Sequence, residues 1–267
     1  MNMTSFDAYC FDLDGTIFVG DTLLADVQQT ISELRGRGKK ILFLTNTSVQ
    51  TRQDCQKRLA RMKLFCSIEE ILTALYVTGL YFKENVPHAR LLLLGEAAME
   101  EELRQFELQT TDDPLDATHV LVGMDRHFTY DKLKRGMTAI RGGAKLVAVN
   151  PDPVCPVPGG FIPDTWPIVK ALEAAGGVRA HLVIGKPSVN MAKLALRRLG
   201  VSGGRCLMVG DRLDTDVLMG LNGGMQTALV LTGVAAKEDI VRMDITPHYV
   251  IDTLAELIAP KPAVTLE

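Results

Sequence analysis

The chain has 267 residues, of which 47% are hydrophobic and 23% are charged, with a formal net charge of -3. These values are typical of a globular protein with a sizeable core, and they argue against nucleic acid or a membrane surface as a partner. The five cysteines form neither a C-x-x-C pair nor a zinc-binding spacing, and the polar start "MNMTSFD" does not resemble a secretory signal. We therefore expect a cytoplasmic protein. The sequence does not decide between a monomer and a homodimer.

Short apolar runs that end in polar residues recur along the chain. The first is "DAYCFDLDG" at 7–15, the second is "KKILFLTNT" at 39–47, and "AHLVIGKPS", "RCLMVGDRL" and "TALVLTG" follow late in the sequence. Helix-length segments lie between them, such as 26–37, in which apolar residues recur at helical spacing. Near-continuous apolar strands that alternate with helices predict an α/β fold with a doubly wound parallel sheet.

The middle of the chain has a βα pattern of its own. The runs "ARLLLLG", "THVLVGM" and "AKLVAVN" predict strands, and the segments between them predict helices. The stretch "NPDPVCPVPGGFIPD" at 150–164 is rich in proline and glycine, so a loop without regular structure is predicted there. We therefore predict an inserted α/β domain over 81–182 and a core formed by 1–80 and 183–267.

The polar residues at the strand ends form the candidate site. In chain order they are Asp12 and Asp14, Thr45 and Asn46, Lys186, and Asp211. In open α/β sheets, ligands bind where the carboxyl ends of the strands give way to loops, so these residues are expected to share one crevice. Two carboxylates about 4 Å apart repel each other by roughly 4 kcal/mol at an effective dielectric constant of about 20, and a hard cation such as Mg²⁺ removes that repulsion. Lysine and threonine side chains suit a phosphate bound beside the same ion.

Taken singly, these residues have simpler interpretations. An aspartate pair after a strand is more often a cap of the next helix, and a lysine before a proline is more often a solvated loop residue. The presence of four such strand ends in one chain favours the site.

Four motifs carry a resemblance to a known family. The segments "DLDGT" at 12–16, "LTN" at 44–46, "GKPS" at 185–188 and "GDRLDTD" at 210–216 resemble, in order, the motifs of the haloacid dehalogenase-like phosphohydrolases. The segments "VGMDRHFTYDKL" and "NPDPVCPVPGGFIPD" resemble parts of the α/β cap of the NagD-like, or p-nitrophenyl phosphatase, branch. The resemblance implies a Rossmann-like catalytic core with an inserted cap domain.

The resemblance also implies roles for the acidic residues. Asp12 is expected to be the nucleophile that forms an aspartyl-phosphate, and Asp14 the general acid and base. Mg²⁺ is expected to bind the Asp12 carboxylate, the main-chain carbonyl of Asp14 and the Asp211 carboxylate. Asp216 is expected to support Lys186 or a water on the metal from outside the ligand set.

Two further groups are expected to bind the substrate. The resemblance implies that Thr45, Asn46 and Lys186 hold the phosphoryl group that is transferred. The cap residues expected to contact the rest of the substrate are Asp164, Thr165 and Trp166. For Trp166, the only tryptophan, packing between cap and core is an equally good interpretation.

The leading hypothesis is a Mg²⁺-dependent phosphatase of a small phosphorylated metabolite, with a sugar phosphate slightly ahead of pyridoxal 5′-phosphate. A phosphotransferase or phosphomutase on the same fold is the nearest alternative, and it would transfer phosphate to a bound acceptor instead of water. Dehalogenation is disfavoured because that chemistry needs neither Asp14 nor a metal. A catalytically silent binding protein is the alternative from another class, and the filled motif positions argue against it.

Overall fold

The computed structural model describes residues 3–157 and 159–259. The helices are α1 Val27–Gly36, α2 Arg52–Arg61, α3 Ala74–Asn85, α4 Ala97–Arg104, α5 Tyr130–Arg141, α6 Thr165–Gly176, α7 Val189–Leu199, α8 Leu218–Asn222 and α9 Lys237–Met243. The strands are β1 Ala8–Asp12, β2 Phe18–Val19, β3 Thr22–Leu23, β4 Lys40–Thr45, β5 Ile71–Thr73, β6 Arg90–Leu94, β7 Gln109–Thr110, β8 His119–Val122, β9 Lys145–Ala148, β10 Val154–Val157, β11 Gly160–Pro163, β12 Leu182–Val183, β13 Cys206–Gly210, β14 Gln226–Val230 and β15 Tyr249–Ile251. The predicted α/β class is confirmed.

The larger sheet has six strands in the order β15-β14-β13-β1-β4-β5. β1 and β13 pair in parallel, with Ala8 opposite Cys206 and Phe11 opposite Val209, and β14 and β15 continue the parallel pairing. Every residue of β1 and β13 is buried. Burial on both faces of the sheet explains why the sequence shows continuous apolar runs in place of alternation.

The chain divides into two compact units. Of the described residues, those before Leu44, those of Met62–Leu64 and those from Ala192 onward form the first unit, and Leu44–Arg61 and Phe65–Met191 form the second. The predicted domains, with boundaries at 80/81 and 182/183, stay a prediction.

The second unit contains a five-stranded sheet in the order β12-β9-β8-β6-β7. Its pairs are parallel, as in the register Leu91 opposite His119 and Val120 opposite Leu146. A buried apolar cluster fills this unit, including Leu94 and Val122 from the sheet and Leu172 from α6. The βα pattern that the sequence predicts for the middle of the chain is confirmed.

Two sequence expectations about this unit are wrong. The run "AHLVIGKPS" was expected in the same sheet as the first strand, but Leu182–Val183 pairs with β9. A strand of two residues has too little pattern to specify a partner, so tertiary packing decides which sheet edge it joins.

The stretch 150–164 was expected to lack regular structure, yet most of it forms the antiparallel hairpin β10–β11, in which Val157 pairs with Gly160. Prolines are tolerated there because a two-stranded hairpin consists only of edge strands. Pro158 of this stretch lies outside the described residues.

In the part of the chain that the structure describes, no helix is both long enough and apolar enough to cross a membrane.

Candidate active site

Three aspartates of the first unit bring their carboxylates together. β1 ends at Asp12, and Asp211 follows directly after the neighbouring strand β13. Asp216 lies on a short π-helical turn, Leu213–Val217, just beyond. One carboxylate oxygen from each residue lies within 4.8 Å of the other two, and the three residues are only 7%, 1% and 1% exposed. The prediction that Asp12 and Asp211 meet at the strand ends is therefore confirmed.

The main chain holds two of these carboxylates in place. The Val234 amide donates a hydrogen bond to Asp211 Oδ2 at 2.7 Å, and the Arg212 amide donates one to Asp216 Oδ2 at 3.1 Å. A Cβ atom at Gly15, which has φ +85°, would overlap the Asp211 carboxylate. The turn after β1 therefore needs glycine because of both its backbone conformation and its approach to Asp211.

This arrangement fits a divalent cation. Buried carboxylates within 4.8 Å of one another repel strongly in surroundings of low dielectric constant, so they require compensation. The donor set consists of carboxylate oxygens, which suits a hard ion such as Mg²⁺. The residues present could therefore hold a metal ion.

Asp14 occupies a different environment from Asp12. The chain leaves the sheet at Asp12 and turns, with the amides of Ile17 and Phe18 donating to Leu13 O at 2.8 and 3.1 Å. Asp14 lies on this turn and is exposed, whereas Asp12 is buried. A solvent-accessible carboxyl group can exchange protons with water, as a general acid and base must.

The second unit contains the residues expected to bind phosphate. Asn46 and Lys186 are joined because the Lys186 amide donates to Asn46 Oδ1 at 2.8 Å and Asn46 Nδ2 donates to Lys186 O at 3.0 Å. Thr45 ends β4, and its Oγ1 accepts a hydrogen bond from the Thr47 amide at 3.1 Å. Lys186 is 3% exposed, so it is not a solvated loop lysine.

The three cap residues expected to contact substrate make structural contacts. Asp164 caps α6, since its side chain accepts a hydrogen bond from the Thr165 amide, and Thr165 is fully buried. Trp166 packs against the core cluster of the second unit, and Lys170 Nζ lies 4.4 Å from the centre of its ring. Their role in substrate binding stays a prediction.

Sequence reasoning missed two polar residues beside Asn46. Asn46 Nδ2 donates to Asp152 Oδ2 at 3.0 Å, and Asn150 Nδ2 donates to Asn46 O at 2.8 Å. Both residues lie just beyond β9: Asn150 ends the run "AKLVAVN", and Asp152 follows two residues later. The signal was present, because an apolar run that stops at polar residues is the pattern that marks the other strand ends.

One buried pair of thiols lies in the same sheet as the carboxylates. Cys10 Sγ and Cys206 Sγ are 3.7 Å apart, and both residues are fully buried. The hydrogen bond with the Cys206 thiol, together with burial, raises the pKa of the Cys10 thiol, so it stays protonated. Both cysteines are therefore small residues of the core.

Comparison with known proteins agrees with the motifs. The family model described as haloacid dehalogenase-like hydrolase matches residues 9–109, and a second model, HAD-hydrolase-like, matches residues 183–257. The sugar-phosphatase AraL of Bacillus subtilis is 34% identical over 92% of this chain and 90% of its own length. The chain belongs to the haloacid dehalogenase-like hydrolases. The acid sugar phosphatase of Staphylococcus aureus strain MRSA252 is another relative of this hydrolase, 33% identical over 96% of this chain and 98% of its own.

Solved structures place this hydrolase in a particular branch of the family. The p-nitrophenyl phosphatase from Archaeoglobus fulgidus superposes with a TM-score of 0.90 and 32% identity, covering 95% of this chain and 98% of the other. NagD from Escherichia coli K-12 superposes with a TM-score of 0.87 and 25% identity, covering 94% and 98%. The predicted NagD-like branch and the enzyme class, phosphoric monoester hydrolase, are confirmed.

Proposed function

We propose that this hydrolase is a Mg²⁺-dependent phosphatase that cleaves a small sugar phosphate through an aspartyl-phosphate on Asp12. The buried cluster of Asp12, Asp211 and Asp216 is the observation that carries the proposal, because fixed carboxylates so close together need a cation. The names of two relatives, which are sugar phosphatases, support a sugar phosphate over pyridoxal 5′-phosphate.

The metal site of the proposal uses residues of the first unit. Asp12, Asp211 and the main-chain carbonyl of Asp14 would hold Mg²⁺, and Asp216 is close enough to the first two carboxylates to support the ion or a water on it. When bound, the ion would neutralise the carboxylates and the phosphate and orient the phosphate for attack.

The chemistry then divides between two carboxyl groups. An oxygen of Asp12 attacks phosphorus, the bond to the leaving oxygen breaks, and Asp14 supplies the proton that this oxygen takes up. Asp14, now ionised, accepts a proton from a water molecule that attacks the acyl phosphate, which releases inorganic phosphate and restores Asp12. Each carboxyl group suits its step, because Asp12 is held among charged neighbours while Asp14 is exposed to solvent.

Positive charge and hydrogen-bond donors complete the proposal. Lys186, the Thr45 hydroxyl and the Asn46 main-chain amide would bind the oxygens of the phosphoryl group as negative charge moves across it. The contacts that hold Lys186 and Asn46 together support this role, since fixed groups stabilise a transition state without reorganising.

The proposal is tested by screening phosphorylated metabolites for phosphate release in the presence of Mg²⁺. We expect the highest kcat/KM for a sugar phosphate, and we expect Asp12→Asn to lose turnover by about a thousandfold or more because an amide cannot form the acyl phosphate. The matched control Asp21→Asn, at an exposed aspartate, should retain the wild-type rate.

Two results would contradict the proposal. Phosphate that appears on a second sugar instead of in solution would indicate a phosphotransferase. Full activity in Asp12→Asn would rule out the aspartyl-phosphate mechanism.

A further inference from the structure

The side chain of Asn46 controls the position of the Lys186 main chain. Its Oδ1 accepts a hydrogen bond from the Lys186 amide at 2.8 Å, and its Nδ2 donates to the Lys186 carbonyl at 3.0 Å. A Cβ atom at Gly185 would lie 2.6 Å from Asn46 Oδ1, so this close approach requires glycine. The side-chain amide of Asn46 therefore holds the Lys186 main chain, and with it the Cα atom from which the lysine side chain extends.

Asp152 determines which way this amide faces. Asn46 Nδ2 also donates to Asp152 Oδ2 at 3.0 Å. An ionised carboxylate only accepts hydrogen bonds, so it attracts the NH₂ group of Asn46 and repels its carbonyl oxygen. The Asp152 carboxylate thus keeps Oδ1 of Asn46 directed at the Lys186 amide.

Asn150 makes hydrogen bonds to the main chains of both Asn46 and Asp152. Its Nδ2 donates to the Asn46 carbonyl at 2.8 Å, and its Oδ1 accepts a hydrogen bond from the Asp152 amide at 3.0 Å. Asn150 is 1% exposed, and Asp152 is 7% exposed. Because buried polar groups in such a network depend on one another, loss of one member should displace the others.

We propose that Asn150 and Asp152 are positioning residues that fix Lys186, through Asn46, for phosphate binding. This inference rests on the proposed function, because the phosphate-binding role of Lys186 belongs to that proposal. In this proposal both residues act through the Asn46–Lys186 pair, because their hydrogen bonds reach Asn46.

Asn150→Asp tests the proposal with a change of nearly equal size. It replaces the donor that faces the Asn46 carbonyl by an acceptor, while the acceptor for the Asp152 amide is retained. With p-nitrophenyl phosphate we expect kcat/KM to fall by about tenfold or more, and the inhibition constant of inorganic phosphate to rise by a similar factor, since a buried hydrogen bond is lost. Asn85→Asp, which changes an exposed asparagine that also donates to a main-chain carbonyl, is the matched control and should have no effect.

A double-mutant cycle separates positioning from general destabilisation. In the Lys186→Ala background, Asn150→Asp should change kcat/KM by less than about twofold, because its effect passes through the lysine that is absent. If Asn150→Asp does not fold, the cycle is run with Asp152→Asn, which removes the charge that orients Asn46 and should show the same dependence on Lys186.

The outcomes distinguish this inference from the proposed function. Wild-type kcat/KM in Lys186→Ala would overturn the phosphate-binding role of Lys186 in the proposed function, and the positioning role with it. If Lys186→Ala has a large effect, two results would overturn the positioning role alone. One is no loss of kcat/KM in Asn150→Asp, and the other is the same tenfold loss in both backgrounds.

Discussion

The position of the Asp211 carboxylate depends on the absence of a side chain at Gly15. A Cβ atom there would overlap the Asp211 carboxylate, and the residue has φ +85°. Gly20 also has a positive φ, +56°, but a Cβ atom there would have no described atom within 4 Å. Both substitutions to alanine strain the backbone by about 1 kcal/mol, but only one disturbs the proposed metal site.

We therefore expect Gly15→Ala to raise the Mg²⁺ concentration needed for half-maximal turnover by about tenfold or more, consistent with displacement of one ligand. Gly20→Ala should leave it unchanged. Titration of turnover with Mg²⁺ in both variants measures the difference, and equal responses would show that the contact with Asp211 has no role in metal binding.

The sequence identifies some site residues and not others for a physical reason. Asp12, Asp211 and Lys186 stand out because charged residues directly after apolar runs are unusual unless something uses them. The closeness of Asp216 to the other two carboxylates depends on the π-helical turn after β13, and the contacts of Asn150 depend on tertiary packing. A sequence pattern reports neither.

At the scale of secondary-structure elements, α6 depends on its first residue. The Asp164 side chain accepts a hydrogen bond from the Thr165 amide, and Asp164 is the N-cap of this helix. We expect Asp164→Ala to lower the free energy of unfolding by about 1 kcal/mol, and Asp164→Asn, which can still cap the helix, to lower it less. Denaturant unfolding checks this order, and equal stability of all three proteins would contradict the capping role.

The same variants test the predicted substrate contact. If Asp164 also contacts the sugar, Asp164→Asn should lower kcat/KM for the preferred sugar phosphate much more than for p-nitrophenyl phosphate. A proportional loss for both substrates would mean that the residue has only its structural role.

Strand β8 contains a histidine that makes stability depend on pH. His119 is 7% exposed, with the ring of Phe82 5.3 Å from its own and Thr118 Oγ1 2.9 Å from its Nδ1. Burial lowers the pKa of His119, and the positive charges of Lys145 and His181 lower it further. Because the unfolded chain binds the proton more readily than the folded one, stability should fall as the pH drops below about 6.5, the ordinary histidine value.

We expect this loss in urea unfolding between pH 7.5 and 5, and we expect His119→Gln to reduce it. His88→Gln, at an exposed histidine, is the control and should leave the pH dependence as in the wild type. An unchanged pH dependence in His119→Gln would assign the effect to other groups.

The elements that the sequence predicts well are those with a long apolar run. The strands β1, β4, β6, β8, β9 and β13 fall within predicted runs, and β14 begins one residue before the run that predicts it. Sequence patterns miss the hairpin β10–β11 because its residues are exposed or only partly buried and both strands contain a proline. Its pairing is local and antiparallel, so it needs no continuous apolar segment.

For the whole molecule, the cluster of carboxylates predicts that metal binding and stability are linked. Chelation should abolish turnover and lower the Tm, and added Mg²⁺ should restore both, because a ligand that binds only the folded state stabilises it.

Asp211→Asn removes one of the repelling charges. It should therefore have a higher Tm than the wild type without metal and gain less from Mg²⁺. Equal turnover before and after chelation would contradict the proposed metal dependence and favour metal-free chemistry such as dehalogenation.

In the proposed mechanism, the phosphoryl group passes from the substrate to Asp12 before it reaches water. The most direct test is to mix the enzyme with Mg²⁺ and its best substrate, quench within milliseconds in acid, and analyse the peptides by mass spectrometry. We expect a phosphate adduct on the peptide that contains Asp12, formed at least as fast as turnover and absent in Asp12→Asn. An adduct on another residue, or steady turnover with no adduct at any quench time, would contradict it.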